Sequence, residues 1–239
     1  MVDPSHLLAH AAFATICGST LFIMPTEAKL MRAILCFGDS NTWGDPPGGH
    51  GRFTWNERWT GILQRLLGNG FRVIEEGLSG RTTCFDDPFS PNRNGLAYLT
   101  VALETHYPLD LLIIMLGTND LKANFNLSTF DIGRGAARLL VTAKNFKPEI
   151  KHILLVSPPH VTTTDDSGIL QQFPDGIEKS RSLSLHYQRV AELHGCHFFN
   201  AASVAQASPI DGIHLDATNH KCLADGLAQK LVTIFESEA

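Results

Sequence analysis

Residues 111–120 read Leu111-Leu112-Ile113-Ile114-Met115-Leu116-Gly117-Thr118-Asn119-Asp120. An unbroken apolar run of this kind is what a strand carries when both of its faces are covered, because nothing on it has to meet water. A strand with one wet face would alternate apolar and polar side chains instead. The run stops at a glycine and is followed by three polar residues. It therefore reads as a buried strand with useful chemistry at its carboxyl end.

The same grammar repeats on either side. Residues 33–37 are a short apolar run ended by Gly38, and residues 71–75 read as a second strand. Residues 152–156 read as a fourth strand, stopped by Pro158-Pro159, and residues 197–199 as a fifth. Between them lie segments of helical periodicity. Trp55, Trp59, Ile62, Leu63, Leu66 and Leu67 recur at helical spacing, with Gly68 as the stop. Residues 96–106, 132–143 (with Leu139 and Leu140 inward), 177–193 and 217–235 read as further helices. Strands alternating with helices predict an α/β fold: one domain, a three-layer α/β/α sandwich around a five-stranded parallel sheet. The two long irregular stretches, 45–53 and 158–175, are expected to form the rims of a pocket.

The bulk numbers narrow the function. The chain has 239 residues with a net charge of −5 and no basic block, so nothing favours nucleic acid or an acidic membrane surface as partner. The cysteines (Cys17, Cys36, Cys84, Cys196 and Cys222) are odd in number, and none is paired at the C-x-x-C spacing of zinc or redox sites. Free thiols fit a reducing compartment, so the expectation is cytoplasmic. Residues 7–24 are fairly apolar but are interrupted by His10, Gly18, Ser19 and Thr20, and no Lys or Arg precedes Ala11. That is neither a secretory leader nor a membrane span. Residues 1–30 are thus expected to be an extension ahead of a domain over 31–239, with export as the alternative.

In a parallel sheet of this kind, ligands bind beyond the carboxyl ends of the strands. Ser40 follows the first strand, Ser79 and Gly80 the second, Asn119 and Asp120 the third, and Asp211 and His214 the fifth. A serine hydroxyl becomes a nucleophile only when a base takes its proton, and a histidine held by a carboxylate is such a base. Asp211-Gly212-Ile213-His214 offers both. Taken singly, each is commonplace: Ser40 as a helix N-cap, Asp211 as a turn residue. The combination predicts a Ser40–His214–Asp211 triad. Acyl transfer also requires donors for a developing oxyanion. The candidates are the N–H groups of Ser40 and Gly80 and the side chain of Asn119. Asn119 could instead tie down its own turn, and Gly80 could simply supply a positive-φ turn.

Other patterns fail. Gly77-Leu78-Ser79-Gly80 is followed by Arg81, not the glycine of a nucleophile elbow. Phosphate-binding glycine loops and H-E-x-x-H are absent, so no cofactor and no metal is expected. Asp86 and Asp87 read as a turn or cap before Pro88, and His197 as a strand residue.

Four blocks carry a resemblance: residues 37–44 around Gly38-Asp39-Ser40-Asn41, residues 75–82 with Gly80, Gly117-Thr118-Asn119-Asp120, and Asp211-Gly212-Ile213-His214. The chain resembles the SGNH (GDSL-type) hydrolase superfamily across residues 32–235. It is most similar to the bacterial arylesterase and acyltransferase (perhydrolase) branch. The resemblance implies a flavodoxin-like sheet and a serine esterase cleaving short acyl esters, with Ser40 as nucleophile, His214 as base, Asp211 as its partner, and Ser40, Gly80 and Asn119 as oxyanion hole. It further implies a small-molecule ester substrate and homo-oligomers, including octamers. Asp39 and Trp43 are placed at the substrate pocket. Acyl transfer to alcohols or peroxide and carbohydrate acetyl ester cleavage remain alternatives, as does a non-catalytic binding protein on the same fold. The intact set Ser40, Asn119, Asp211 and His214 speaks against the last.

Overall fold

Five parallel strands form the sheet in the computed structural model, which describes residues 31–236. They are β1 (Arg32–Gly38), β2 (Phe71–Gly77), β3 (Leu111–Met115), β4 (His152–Ser157) and β5 (His197–Asn200), in the order β2-β1-β3-β4-β5. The extension expected over residues 1–30 lies outside the described residues.

β3 is central, and its side chains show why its sequence is continuously apolar. Leu112 and Ile114 enter one core with Leu35, Phe37 and Leu155, while Leu111, Ile113 and Met115 enter the other with Ile34, Cys36 and Val156. The first core is closed by α3 (Gly95–His106), α4 (Thr129–Asn145) and α6 (Gly176–Leu193), through Leu99, Leu103, Leu139, Leu140 and Leu183. The second is closed by α2 (Trp59–Leu67) and α7 (Ala217–Glu236), through Trp59, Leu63, Leu223, Leu227 and Leu231. Each large apolar side chain buried this way contributes about 1.5 to 3 kcal/mol. The result is the expected three-layer sandwich, and the described residues make one domain. No helix among them is long and apolar enough to cross a membrane.

Two local expectations change. The second helix begins at Trp59 rather than Trp55: Trp59 is 1% exposed, whereas Trp55 is 38% exposed in the preceding turn. That turn lies directly on Gly61, where a Cβ would come within 1.9 Å of the Trp55 carbonyl oxygen. Residues 158–175 are not wholly irregular. They contain α5 (Ser167–Gln172), started by Asp166, whose carboxylate accepts the N–H groups of Gly168 and Ile169.

Register decides where the site forms. Gly38 pairs with Gly77 on one side and Met115 on the other. β1, β2 and β3 therefore end level, and the residues that follow them emerge along one edge. The strand order also reverses there, because chain excursions run outward from β1 in opposite directions, and that is where such sheets open a crevice.

Candidate active site

Ser40 opens α1 (Ser40–Trp43), a single turn that folds straight back off β1. Asp39 makes the turn possible, its carboxylate accepting the Asn41 N–H at 3.1 Å. The Ser40 N–H has no protein acceptor among the described residues. It is left free in the way the first N–H groups of any helix are.

The Asp211–His214 loop approaches from the opposite end of the chain. Asp211 Oδ1 accepts the N–H groups of Ile213 (3.0 Å) and His214 (2.9 Å), and Oδ2 accepts Gly48 N–H (2.9 Å) and faces His214 Nδ1 (2.7 Å). Four partners on two oxygens hold this buried carboxylate rigidly. Burial alone would raise its pKa, but the bonds from His214 and Ile213 overcome that and bring it down to about 2. An ionised carboxylate can only accept, so Nδ1 carries the imidazole proton and Nε2 presents its lone pair. Nε2 lies 3.0 Å from Ser40 Oγ. Burial works to lower the His214 pKa, while the bond and charge of Asp211, with Asp45 and Asp39 behind it, outweigh this and raise it above 6.5. Gly212 permits the turn. Its φ is +74°, and a Cβ there would stand 2.5 Å from the Thr162 carbonyl oxygen.

Gly80 and Asn119 reach the same cleft from β2 and β3. Gly80 has φ +82°, and its N–H has no protein acceptor among the described residues. Asn119 is 7% exposed and donates one amide proton to the Arg81 carbonyl at 3.1 Å, so the second is available to the cleft. The anchor is a neighbouring loop rather than the residue's own turn, which was the alternative in the sequence.

Three supporting groups escaped the reading of the sequence. Asn41 bridges the two halves of the site: its amide donates to Ile213 O (3.2 Å) and accepts Leu215 N–H (2.9 Å), gripping the chain on both sides of His214. Arg81 donates to the carbonyls of Gly38 (3.0 Å) and Glu76, tying the ends of β1 and β2 together, and lies over the Phe37 ring. Burial lowers its pKa to about 10. Asp120 accepts Thr83 N–H (3.0 Å) and hydroxyl (2.5 Å), and burial pushes its carboxyl up to about 6. Asp120 carried a signal of its own, as a charge set directly after a fully buried strand, while Asn41 and Arg81 lay inside the resembling blocks without an assigned role.

The cleft, of about 200 Å³, is lined by Ser40, Gly80, Asn119 and His214 and by the apolar side chains of Ile169, Phe173 and Ile213. Asp39 and Trp43 are not in its wall, contrary to the expectation for the pocket. Asp39 is buried beneath α1 as its cap, and its carboxyl is pushed up to about 6 by desolvation. Trp43 is turned to the Arg52 side, with the guanidinium 4.8 Å from its ring centre. Their places are taken by residues of the two rims. Asp45 accepts the Ser79 hydroxyl at the mouth (2.5 Å), while Ile169, Gln172 and Phe173 come from α5 and its end.

Comparison with known proteins agrees with this fold. Residues 36–222 match the model of the GDSL-like lipase/acylhydrolase family. No curated protein matches the chain. A structure described as an inhibitor-bound M. smegmatis aryl esterase is 40% identical with a TM-score of 0.82, covering 84% of this chain and 99% of its own. A carbohydrate acetylesterase family member from Sinorhizobium meliloti is likewise 40% identical, with a TM-score of 0.81 and coverages of 84% and 97%. The lipase/acylhydrolase from Enterococcus faecalis, at 20% identity and TM-score 0.61, shares the fold.

Proposed function

The chain belongs to the GDSL-like lipase/acylhydrolase family and is a carboxylic ester hydrolase, and from that premise we propose that it cleaves short-chain acyl esters through a Ser40–His214–Asp211 triad and an acyl-enzyme. The observation that carries the proposal is the continuous relay Asp211 Oδ2–His214 Nδ1 (2.7 Å) and His214 Nε2–Ser40 Oγ (3.0 Å), open to a cleft.

The ester carbonyl oxygen takes the Ser40 and Gly80 N–H groups and the free Asn119 amide proton. Ser40 Oγ attacks as its proton passes to His214 Nε2, and Asp211 stabilises the imidazolium. His214 returns that proton to the leaving alkoxide as the carbon–oxygen bond breaks. A water then attacks the acylated Ser40, with His214 again as base, and free serine and the acid are regenerated. A cleft of about 200 Å³ with three apolar side chains beside the nucleophile supports a short acyl group, since pockets for larger ligands start at about 300 Å³.

Hydrolysis of p-nitrophenyl esters from C2 to C12 tests the reading. Turnover should peak at the shortest chains and disappear in Ser40→Ala. A peak at long chains would refute the short-acyl assignment, and an active Ser40→Ala would refute the nucleophile.

A further inference from the structure

Apart from His214, two side chains with a formal charge line the catalytic cleft, Lys122 and Asp45. They are not equally matched. Lys122 Nζ lies 3.4 Å from Asp87 Oδ2, with the two side chains 14% and 3% exposed, so the lysine charge is balanced inside the wall. Asp45 is half-buried and has no ion-pair partner among the described residues. Arg52 lies within reach of its field, but that guanidinium is engaged with the Trp43 carbonyl (2.5 Å), with Glu75 (3.4 Å) and with the Trp43 ring, and it stands outside the cleft wall. Arg58 is engaged with the same Glu75 at 2.7 Å.

The Asp45 carboxylate is also held in place. Its backbone N–H donates to the Ser40 carbonyl at 3.0 Å, which ties it to the turn that carries Ser40. The Ser79 hydroxyl donates to Oδ2 at 2.5 Å, and no protein donor among the described residues meets Oδ1. Ser79 thus has a task that no step of ester hydrolysis gives it: it fixes a negative charge at the mouth of the cleft. A charge ordered in advance loses little side-chain entropy when a ligand meets it.

In the reaction proposed above, His214 Nε2 returns its proton to the leaving alkoxide, so the alcohol half departs from beside His214. The charge of Asp45 acts on that same imidazole, as one of the groups that hold its proton on. The apolar side chains of Ile169, Phe173 and Ile213 are left for the acyl group. We infer that Asp45 is a specificity-determining residue that favours esters whose alcohol half carries a cation of the quaternary-ammonium type over neutral esters of the same shape. The inference rests on the esterase reading above. A quaternary ammonium suits the position because its charge is spread over methyl groups. It gives up little hydration on meeting a half-buried carboxylate, and lost hydration is what weakens buried ion pairs.

The test compares two acetates of equal shape that yield the same acyl-enzyme, acetylcholine and its uncharged analogue with carbon in place of nitrogen, 3,3-dimethylbutyl acetate. The readout is the ratio of their kcat/KM values, so any general effect of a substitution on turnover cancels. Asp45→Asn keeps an oxygen for the Ser79 hydroxyl and removes the charge alone. In that variant the ratio of charged to uncharged ester should fall about three- to tenfold, the scale of one partly screened charge pair. Raising the ionic strength from about 0.01 M to about 1 M shortens the screening length from about 30 to about 3 Å and should bring the wild-type ratio toward that of the variant. An unchanged ratio in folded Asp45→Asn overturns the inference and leaves the esterase reading standing. So does a wild-type ratio indifferent to salt, which keeps the inference open to refutation even if the variant does not fold. Failure of the wild type on both acetates overturns the esterase reading, and the inference with it.

Discussion

Replacing Asp211 by Asn tests the relay at its least replaceable atom. The native carboxylate faces four N–H donors: Ile213 and His214 backbone on Oδ1, Gly48 backbone and His214 Nδ1 on Oδ2. An amide retains one acceptor oxygen. With that oxygen toward Ile213 and His214, its NH2 confronts Gly48 N–H and Nδ1–H. The imidazole can relieve this only by moving its proton to Nε2, which removes the lone pair that Ser40 needs at 3.0 Å. With the amide reversed, two buried backbone N–H groups lose their acceptor. The first outcome predicts a fall in kcat of about 10⁴, or about 5.5 kcal/mol of barrier, with KM little changed. Stability should fall as well. A carboxyl held at about 2 against an ordinary 3.8 contributes about 2 kcal/mol at neutral pH. Because the folded pKa is the depressed one, that contribution is complete above about pH 4 and vanishes toward pH 2, and Asn lacks it at every pH. The melting temperature at pH 7 should therefore drop by roughly 4 to 8 °C. Initial rates with p-nitrophenyl acetate and a calorimetric melt read both numbers. A folded Asp211→Asn enzyme with kcat within about tenfold of wild type would refute the tautomer argument.

Asn119→Ala should lower kcat by about 10² to 10³ with little change in KM, since the amide acts on charge that exists only in the transition state; an unchanged kcat removes Asn119 from the oxyanion hole. The pH profile of kcat/KM should rise with a midpoint above 6.5, because His214 must be neutral to act and Asp211 holds its proton on; a midpoint below 6.5 would contradict the geometry. Asn41→Ala strips partners from Ile213 O and Leu215 N–H, both buried, at about 3 kcal/mol, read as a melting temperature lower by on the order of 10 °C. Its kcat should fall further than its KM rises as His214 loses its grip. Dialysis against EDTA should leave p-nitrophenyl acetate turnover unchanged, because the triad and its oxyanion donors account for each step; loss of activity restored by a divalent ion would overturn that account.

Much of the architecture was legible because its signals are local and redundant. An apolar run such as Leu111–Met115 has one physical use, burial on both faces, and five runs alternating with helical periods leave few topologies. Ser40, Gly80, Asn119, Asp211 and His214 were legible for a related reason: each closes a recognisable block at a strand's carboxyl end, and the sheet carries such ends to one edge. The start of α2 was not legible, since Trp55 and Trp59 fit one helical stripe equally well and only the turn packed on Gly61 separates them.

What the sequence by itself determined is thus the sheet, the edge at which the candidate residues gather, and the residue types found there. The sequence marked residues 45–53 and 158–175 as rims, but which side chains line the cleft came only with the tertiary structure. Trp43 and Asp39 stand close to Ser40 in the chain, yet one turns to Arg52 and the other is buried as a cap. Ile169 and Phe173, some 130 positions from Ser40, line the cleft instead. Asn41 shows the same limit: its partners lie 172 and 174 residues away. Sequence patterns report what a residue does to its own element. The contacts that shape a pocket join loops whose meeting is set by how the elements pack, and no periodicity in either loop records that meeting.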